Sequence, residues 1–377
     1  MLPFFIGRYM AKTSHTKPLS EAAFILYELH KGMESEANKA GNRFYLGASG
    51  VGNPCDANLW YGFRGCGTEY ITAKTEEKFR DGHHSEDEYI RRFNQTQYIL
   101  VTEGENGRQL GFKDHGGWFR GHRDGLFPSI SKYGKAIWEH KCSDKWNLIN
   151  KYIAEAGEYN ALKKWNETYY IQAQLYMGYE GVEWHILTCA GSGSRDSSIV
   201  VTPFNKDVFE QVRSRAKRII SSDSLPVRGA ETPTNPCCMF CKAKKVCFGE
   251  RINNKAVKEI PAPSCRNCCY ITFSTEGDTE AHCAFYGSSS SNPKDLEGFK
   301  TCHRFNPTLI DAELIGRMDN GNIRYKKNGM EFDNGENAFT SQQMHENWKT
   351  EPWCNKTVND IQHRFGISAI KEDIKKE

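Results

Sequence analysis

No stretch of the 377-residue chain stays apolar long enough to span a bilayer, which excludes a helical membrane anchor or pore. The opening MLPFFIGRYM is apolar but short and lacks the small-residue cleavage region of a secretory signal. The cytoplasm is therefore the expected location. No internal repeat is present, which sets repeat arrays aside. Nor does one sign of charge dominate. Fifty Lys and Arg stand against 47 Asp and Glu, and a net charge of +3 is too small to argue for nucleic-acid binding by itself. The one local cationic run, Arg213, Arg215, Lys217 and Arg218, reads as the solvated face of a helix. Cysteine, by contrast, is abundant at 14 residues. In a reducing compartment disulfides explain so many thiols poorly, and metal ligation is the leading alternative for some of them.

With 38% hydrophobic and 26% charged residues the composition is globular, and the length suits two or three structural units. Residues 20–39 carry helical periodicity, with Ala23, Leu26, Leu29 and His30 on one side. A second helix is expected after Thr75, capped by its hydroxyl and running through FRDGHHSEDEYIRRF. QYILVTEG, GGWFRGHRDGLF and KAIWEHKCS then read as strands, followed by a long helix near 161–180. Two more strands, VEWHILTCA and SSIVVTPF, and a basic helix over 205–221 complete an α/β sheet flanked by helices. Residues 251–264 read as a linker and 265–310 as a Cys-rich module, whereas 311–377 has no assignable role.

Asp124 in GHRDGLF and Glu139 in WEHKCSD are separated by fourteen residues. Side chains alternate along a strand, so Glu139 and Lys141 share one face and His140 takes the other. If the two strands pair, two carboxylates and an ammonium converge. Such a set suits a hard divalent cation, which wants oxygen ligands and can acidify bound water. The bland alternative is a cross-strand salt bridge. An otherwise apolar strand is a poor place for an idle charge pair.

Over residues 45–250 these elements resemble the RecB-like and lambda-exonuclease-like branch of the PD-(D/E)XK nucleases, phage-encoded members above all. The resemblance implies a restriction-endonuclease-like core, a mixed central sheet flanked by helices; the periodic stretch ahead of it reads as a helical arm over 1–44. It also implies a Mg2+- or Mn2+-dependent DNA exonuclease of recombination, repair or phage replication, with Asp124, Glu139 and Lys141 as catalytic residues. His83, with Glu86 beside it in GHHSE, and the His140 main-chain carbonyl would be further metal ligands. The family's Gln-x-x-x-Tyr maps to Gln172 and Tyr176, one helical turn apart, with His84 and Gln174 as rival registers. Two other readings stay open: a structure-specific endonuclease, and a non-catalytic DNA-binding or assembly protein on the same fold. DNA is the implied partner, with a single-strand-binding or annealing protein as a second and no membrane.

Cys55 far upstream, with Cys238, Cys241 and Cys247, resembles the cluster-bearing AddB-type members of that family. The resemblance implies a [4Fe–4S] cluster stapling the ends of the core across 182 intervening residues, or Zn2+ on the same thiolates. Cys237 leaves the register open by one residue. Cys265, Cys268, Cys283 and Cys302, with Cys269 and His303 as spares, read as a zinc-ribbon-like module with a structural Zn2+. Cys66, Cys142, Cys189 and Cys354 read as ordinary thiols, Cys142 within the core.

Overall fold

A computed structural model describes residues 20–39, 43–67, 70–193, 195–252, 255–278, 280–327 and 329–347, with backbone alone for the strand residues 250–257 and for 330. The chain divides into two compact units, 1–41 with 70–80, and 42–69 with 81–377.

In the first unit, helix α1 (Glu21–Ala37) is capped by Ser20, whose hydroxyl accepts the Ala23 N–H at 3.3 Å. It buries no residue, and Phe24, Ile25, Leu26, Tyr27 and Leu29 are exposed. Glu34 ties α1 to the next helix by accepting the Ala73 N–H (3.0 Å) and the Tyr70 hydroxyl (2.7 Å). That next helix, starting at Ala73, is entered through Thr72, whose Oγ1 accepts the Thr75 N–H at 3.3 Å. The capping residue is thus three positions earlier than the expected Thr75, because the threonine that bonds forward into the first turn is the cap.

The second unit is built on a four-stranded sheet in the order β4-β5-β6-β7. Strand β4 (Gly125–Ile130) runs antiparallel to β5 (Gly134–Cys142), β5 parallel to β6 (Trp184–Ala190), and β6 antiparallel to β7 (Ser197–Pro203). The parallel step needs a crossover. Helices α4 (Leu148–Ala156), α5 (Glu158–Trp165) and α6 (Glu167–Glu180) supply it. The expected single helix over 161–180 is therefore two, split where Asn166 leaves the helical region and its side chain caps α6 through the Tyr169 N–H. Period-two alternation divides the sheet between two cores. Ile137, Leu187 and Val200 join the larger cluster with α6 and α7 (Lys206–Ser221). Ala136, Trp138, Ile186 and Val201 meet Tyr89, Ile90 and Phe93 of α3 (Ala73–Phe93) on the opposite face.

A three-stranded sheet lies beside it in the order β1-β3-β2: β1 (Leu46–Gly47), β2 (Gly111–Asp114) and β3 (Phe119–His122). The stretch GGWFRGHRDGLF was expected as one strand. It breaks after His122, so β3 belongs to one sheet and β4 to the other, and Asp124 sits at the crossing. QYILVTEG forms only single bridges, Val101 with Leu126 and Glu103 with Gln109.

The cationic run on α7 is not merely solvated. Arg215 donates to Asp56, Val51 O and Asn53 O, and Arg218 also reaches Asp56. Arg213 pairs with Asp114, which also accepts the Tyr179 hydroxyl at 2.6 Å. These bonds clamp α7 to the start of α2 (Asp56–Phe63) and to β2.

After α8 (Lys244–Phe248) come a hairpin, β8 (Glu250–Ile252) and β9 (Lys255–Val257), and a meander, β10 (Ile271–Phe273), β11 (Ala281–Cys283) and β12 (Ser288–Ser290). A second meander, β13 (Glu313–Arg317), β14 (Ile323–Lys327) and β15 (Met330–Asn334), precedes α9 (Ser341–Asn347). The Cys-rich stretch packs on the main core: Phe273 lies edge-on to Phe63 and Trp118, and the buried Arg266 guanidinium caps the Gly62 and Phe63 carbonyls. Beyond 311, Ile323, Tyr325, Phe332 and Phe339 form a core of their own with Phe305. No helix among the described residues is long and apolar enough to cross a membrane.

Candidate active site

The break between the two sheets places Asp124 against β5, where its Oδ2 accepts the His140 N–H at 2.8 Å. Glu139 and Lys141 share the face of β5 that looks toward α6, and the Lys141 ammonium lies 2.6 Å from Glu139 Oε1. Gln172 of α6 donates from Nε2 both to Glu139 Oε1 (2.8 Å) and to the Tyr176 oxygen (3.0 Å). The Tyr176 hydroxyl in turn donates to the His122 carbonyl at 2.6 Å. Residues i and i+4 of one helix thus brace the acidic centre and the strand end that delivers Asp124. Gly121 makes this possible, because a Cβ there would lie 2.6 Å from Phe112, 2.7 Å from Ala48 and 2.8 Å from the Tyr176 ring.

His140 points to the other face. It stacks on Tyr89 at 4.3 Å, and its Nε2 and Nδ1 lie 2.7 Å from Ser85 Oγ and 2.9 Å from Thr188 Oγ1. Burial, with the Lys141 and Arg92 charges, pushes its pKa down to about 4, so the ring is neutral at pH 7. The Trp138 indole can only donate, and it donates to Thr188 Oγ1. Thr188 Oγ1 thus lies between the Trp138 N–H and His140 Nδ1, and Ser85 Oγ meets the other ring nitrogen. Ser85, Tyr89 and Thr188 escaped notice in the sequence because no motif spacing marks them. Cys142 proves half-buried rather than core.

Electrostatics make the centre unusual. Burial and the neighbouring Asp124 push Glu139 up to about 8, against the pull of Lys141. Burial, then Asp124, pushes Glu86 of α3 up to about 7. Burial also raises Asp124, although Lys141, the His140 N–H and His83 oppose it. Burial alone would lower Lys141; the Glu139 and Asp124 charges more than reverse that and hold it firmly protonated. Three carboxylates therefore share one ammonium, and the balance must come from protons or a small cation. Glu139 Oε2 and Gln172 Oε1 are buried with no hydrogen-bond partner. An orphaned carboxylate oxygen beside two more carboxylates is the donor chemistry of a hard divalent cation. Among the described residues, no group of three or more His, Cys, Asp or Glu side chains is disposed so that it could hold a metal ion.

Of the helix residues expected at this centre, Glu86 interacts with both Asp124 and Glu139, whereas His83 and His84 are exposed and His83 acts on Asp124. Gln174 is structural: fully buried, it donates to Pro203 O and accepts the Asn205 N–H.

The thiols of Cys55, Cys238, Cys241 and Cys247 lie within electrostatic reach of one another, as does Cys237. Cys55 Sγ accepts the N–H groups of Asn58 and Gly229, and the Cys241 thiol donates to Asn58 Oδ1. Cys265, Cys268, Cys283 and Cys302 form a second neighbourhood, with the Arg304 N–H on Cys268 Sγ at 3.5 Å. His303 is not among them, since it is buried with Nε2 on Asn267 Oδ1 at 2.8 Å. Cys66 and Cys189 are buried free thiols, and Cys354 lies outside the described residues.

No family model and no curated protein matches the chain. Its structural neighbours include the alkaline exonuclease of Laribacter hongkongensis in complex with dAMP (16% identity over 47% of this chain and 86% of that one, TM-score 0.33). The same exonuclease in a second structure matches at 14% identity, covering 50% of this chain and 90% of that one, with a TM-score of 0.33. A phage-related exonuclease from Haemophilus somnus matches at 15% identity, covering 38% and 70%, with a TM-score of 0.26.

Proposed function

We propose that the chain is a metal-dependent DNA nuclease of the PD-(D/E)XK kind, acting as an exonuclease. The observation that carries this reading is the buried, unpartnered Glu139 Oε2 beside Asp124 and Glu86, with one lysine held 2.6 Å from Glu139. Asp124, Glu139 and the His140 carbonyl would hold a Mg2+ or Mn2+ ion, with Glu86 or His83 reaching it from α3. When bound, such an ion acidifies its water and offsets charge building on a phosphate. Lys141, kept charged by its carboxylates, orients the attacking water and meets the developing negative charge. Gln172 holds Glu139 in place, and Tyr176 holds the strand end that carries Asp124.

A further reading rests on the donor chemistry of the two thiol sets alone, since among the described residues no three of their members are disposed to hold a metal ion. A [4Fe–4S] cluster, or Zn2+, would sit on Cys55, Cys238, Cys241 and Cys247, and a structural Zn2+ on Cys265, Cys268, Cys283 and Cys302. Protein purified without oxygen should be coloured and carry iron; zinc alone would exclude the cluster.

The test of the nuclease reading is cleavage of end-labelled linear DNA and covalently closed circular DNA with Mg2+ or Mn2+. Wild type should degrade the linear substrate only, and Asp124→Ala and Lys141→Ala neither. Cleavage of the circle would make the enzyme an endonuclease. Cleavage unchanged in both variants would remove these residues from the chemistry, and tight binding without cleavage would leave a DNA-binding protein.

A further inference from the structure

An aromatic and cationic surface runs outward from Lys141. The Lys141 ammonium lies 5.5 Å from the centre of the Tyr169 ring, and that ring lies 5.5 Å from Trp165 at an interplanar angle of 48°. Both aromatics are half-buried at the junction of α5 and α6, Trp165 as the last residue of α5 and Tyr169 in the first turn of α6. The indole N–H of Trp165 is already satisfied by the Lys145 carbonyl at 3.2 Å, which fixes the ring and leaves its face for stacking. Elsewhere on α4, α5 and α6, Ala156, Asn160, Lys163, Lys164 and Glu167 line an open recess of about 480 Å³. Lys145, Lys163 and Lys164 are exposed; none has a carboxylate partner among the described residues, and the Lys163 ammonium lies 5.5 Å from the centre of the Tyr170 ring.

We propose that Trp165 and Tyr169 form a stacking platform for an unpaired nucleobase beside the phosphate at Lys141, with Lys145, Lys163 and Lys164 meeting the neighbouring phosphates. The substrate is then a single strand or the frayed end of a duplex. This rests on the nuclease reading for the position of the phosphate. The chemistry follows from the surface. A base inside a duplex has both faces covered and cannot lie on an aromatic ring, whereas a single strand offers a free face at every nucleotide. Flat rings and exposed ammonium groups are the two contacts that bind such strands with little regard to sequence. Both rings pack against the edge of the main core and still stay half-buried, which leaves part of each open to a base.

The test is the affinity of the whole chain for a fluorescently labelled single-stranded oligonucleotide, measured by anisotropy in EDTA so that the strand stays intact. Trp165→Ala should bind about tenfold more weakly than wild type, Tyr169→Ala similarly, and Trp165→Phe nearly as well as wild type. An oligonucleotide with a run of abasic sites should show wild type the same loss, with little further loss in Trp165→Ala. That substrate-side arm does not depend on a variant folding. Equal binding by wild type and Trp165→Ala, or equal losses with intact and abasic strands, would overturn the platform. Cleavage of the same strand by wild type with Mn2+ separates the two ideas: cleavage with no effect of Trp165→Ala sinks the platform and keeps the nuclease. Base-dependent binding without cleavage does the reverse, and a wild type that neither binds nor cleaves sinks both.

Discussion

At the scale of single residues, the centre is governed by a shortage of positive charge. Glu139 is almost fully buried, one of its oxygens is bonded to Lys141 and Gln172, and the other to nothing. Glu139→Gln keeps the shape and removes a charge, so it should fold as well as wild type by thermal melting while cleavage falls by about 100-fold or more. Loss of folding instead would mean that the carboxylate is a structural pair. Strand alternation made Glu139, Lys141 and the reversed His140 legible in the sequence. The partners of His140 were not, since Ser85 and Thr188 lie 55 and 48 residues away. Buried histidines predict a loss of stability in acid, and His185 is one of them, with His140 and His303. His185 on β6 is buried, and burial, with Lys141 nearby, pushes it down to about 3. A histidine of lowered folded pKa contributes fully above its unfolded value of about 6.5, and that contribution is lost as pH falls from there toward 3. The slope from this one group is about 1.4 kcal/mol per pH unit. Urea midpoints should therefore drop below about pH 6.5 in wild type and drop less steeply in His185→Asn; parallel curves would show that His185 is not the group responsible.

At the scale of elements, two close approaches and one set of arginines position the site. Gly121 allows β3 to lie against the Tyr176 ring. Gly121→Ala should cost about 1–3 kcal/mol of stability by overpacking and should lower cleavage beyond that loss, because the Tyr176 bond to His122 O is displaced. Normal cleavage at normal stability would mean that Tyr176 does not hold the strand end. Gly178 does the same for α6 on α7, where a Cβ would stand 2.4 Å from the Phe209 ring. Arg215 is mostly buried and ties α7 to Asp56, Val51 O and Asn53 O. Arg215→Lys cannot reproduce that fork and should destabilise by about 1–3 kcal/mol in chemical denaturation. Full stability would return the run to a solvated face, as its sequence suggested. The sequence hid this role because Asp56 is 159 residues from Arg215. The break after His122 was readable in principle, because GHRDGLF holds no β-branched residue and carries an Asp-Gly pair, a turn signal, where the chain changes sheet. The split at Asn166 was readable in principle, because Asn is a strong helix N-cap.

At the scale of the whole molecule, segments remote in sequence are brought to single points: α3, β4, β5 and α6 at the carboxylates, and the two ends of the main core at Cys55 and Cys238. The alternation of helices and strands, and the order of the site residues, were visible in the sequence. The packing of the Cys-rich stretch onto the main core was not, because Phe63, Trp118 and Phe273 look like three unrelated aromatics until the chain is folded. A cation that binds the folded centre and not the unfolded chain stabilises the fold, and binding must first expel the protons that the crowded carboxylates hold at neutral pH. The most direct test is therefore to add Mn2+ to metal-free protein at pH 7 in dilute buffer and follow proton release together with binding. Wild type should bind the ion and release protons, because Glu139 and Glu86 are pushed up to about 8 and about 7, and Glu139→Gln should bind more weakly and release fewer. Binding with no proton release, or release identical in the variant, would contradict a carboxylate centre built for a divalent cation.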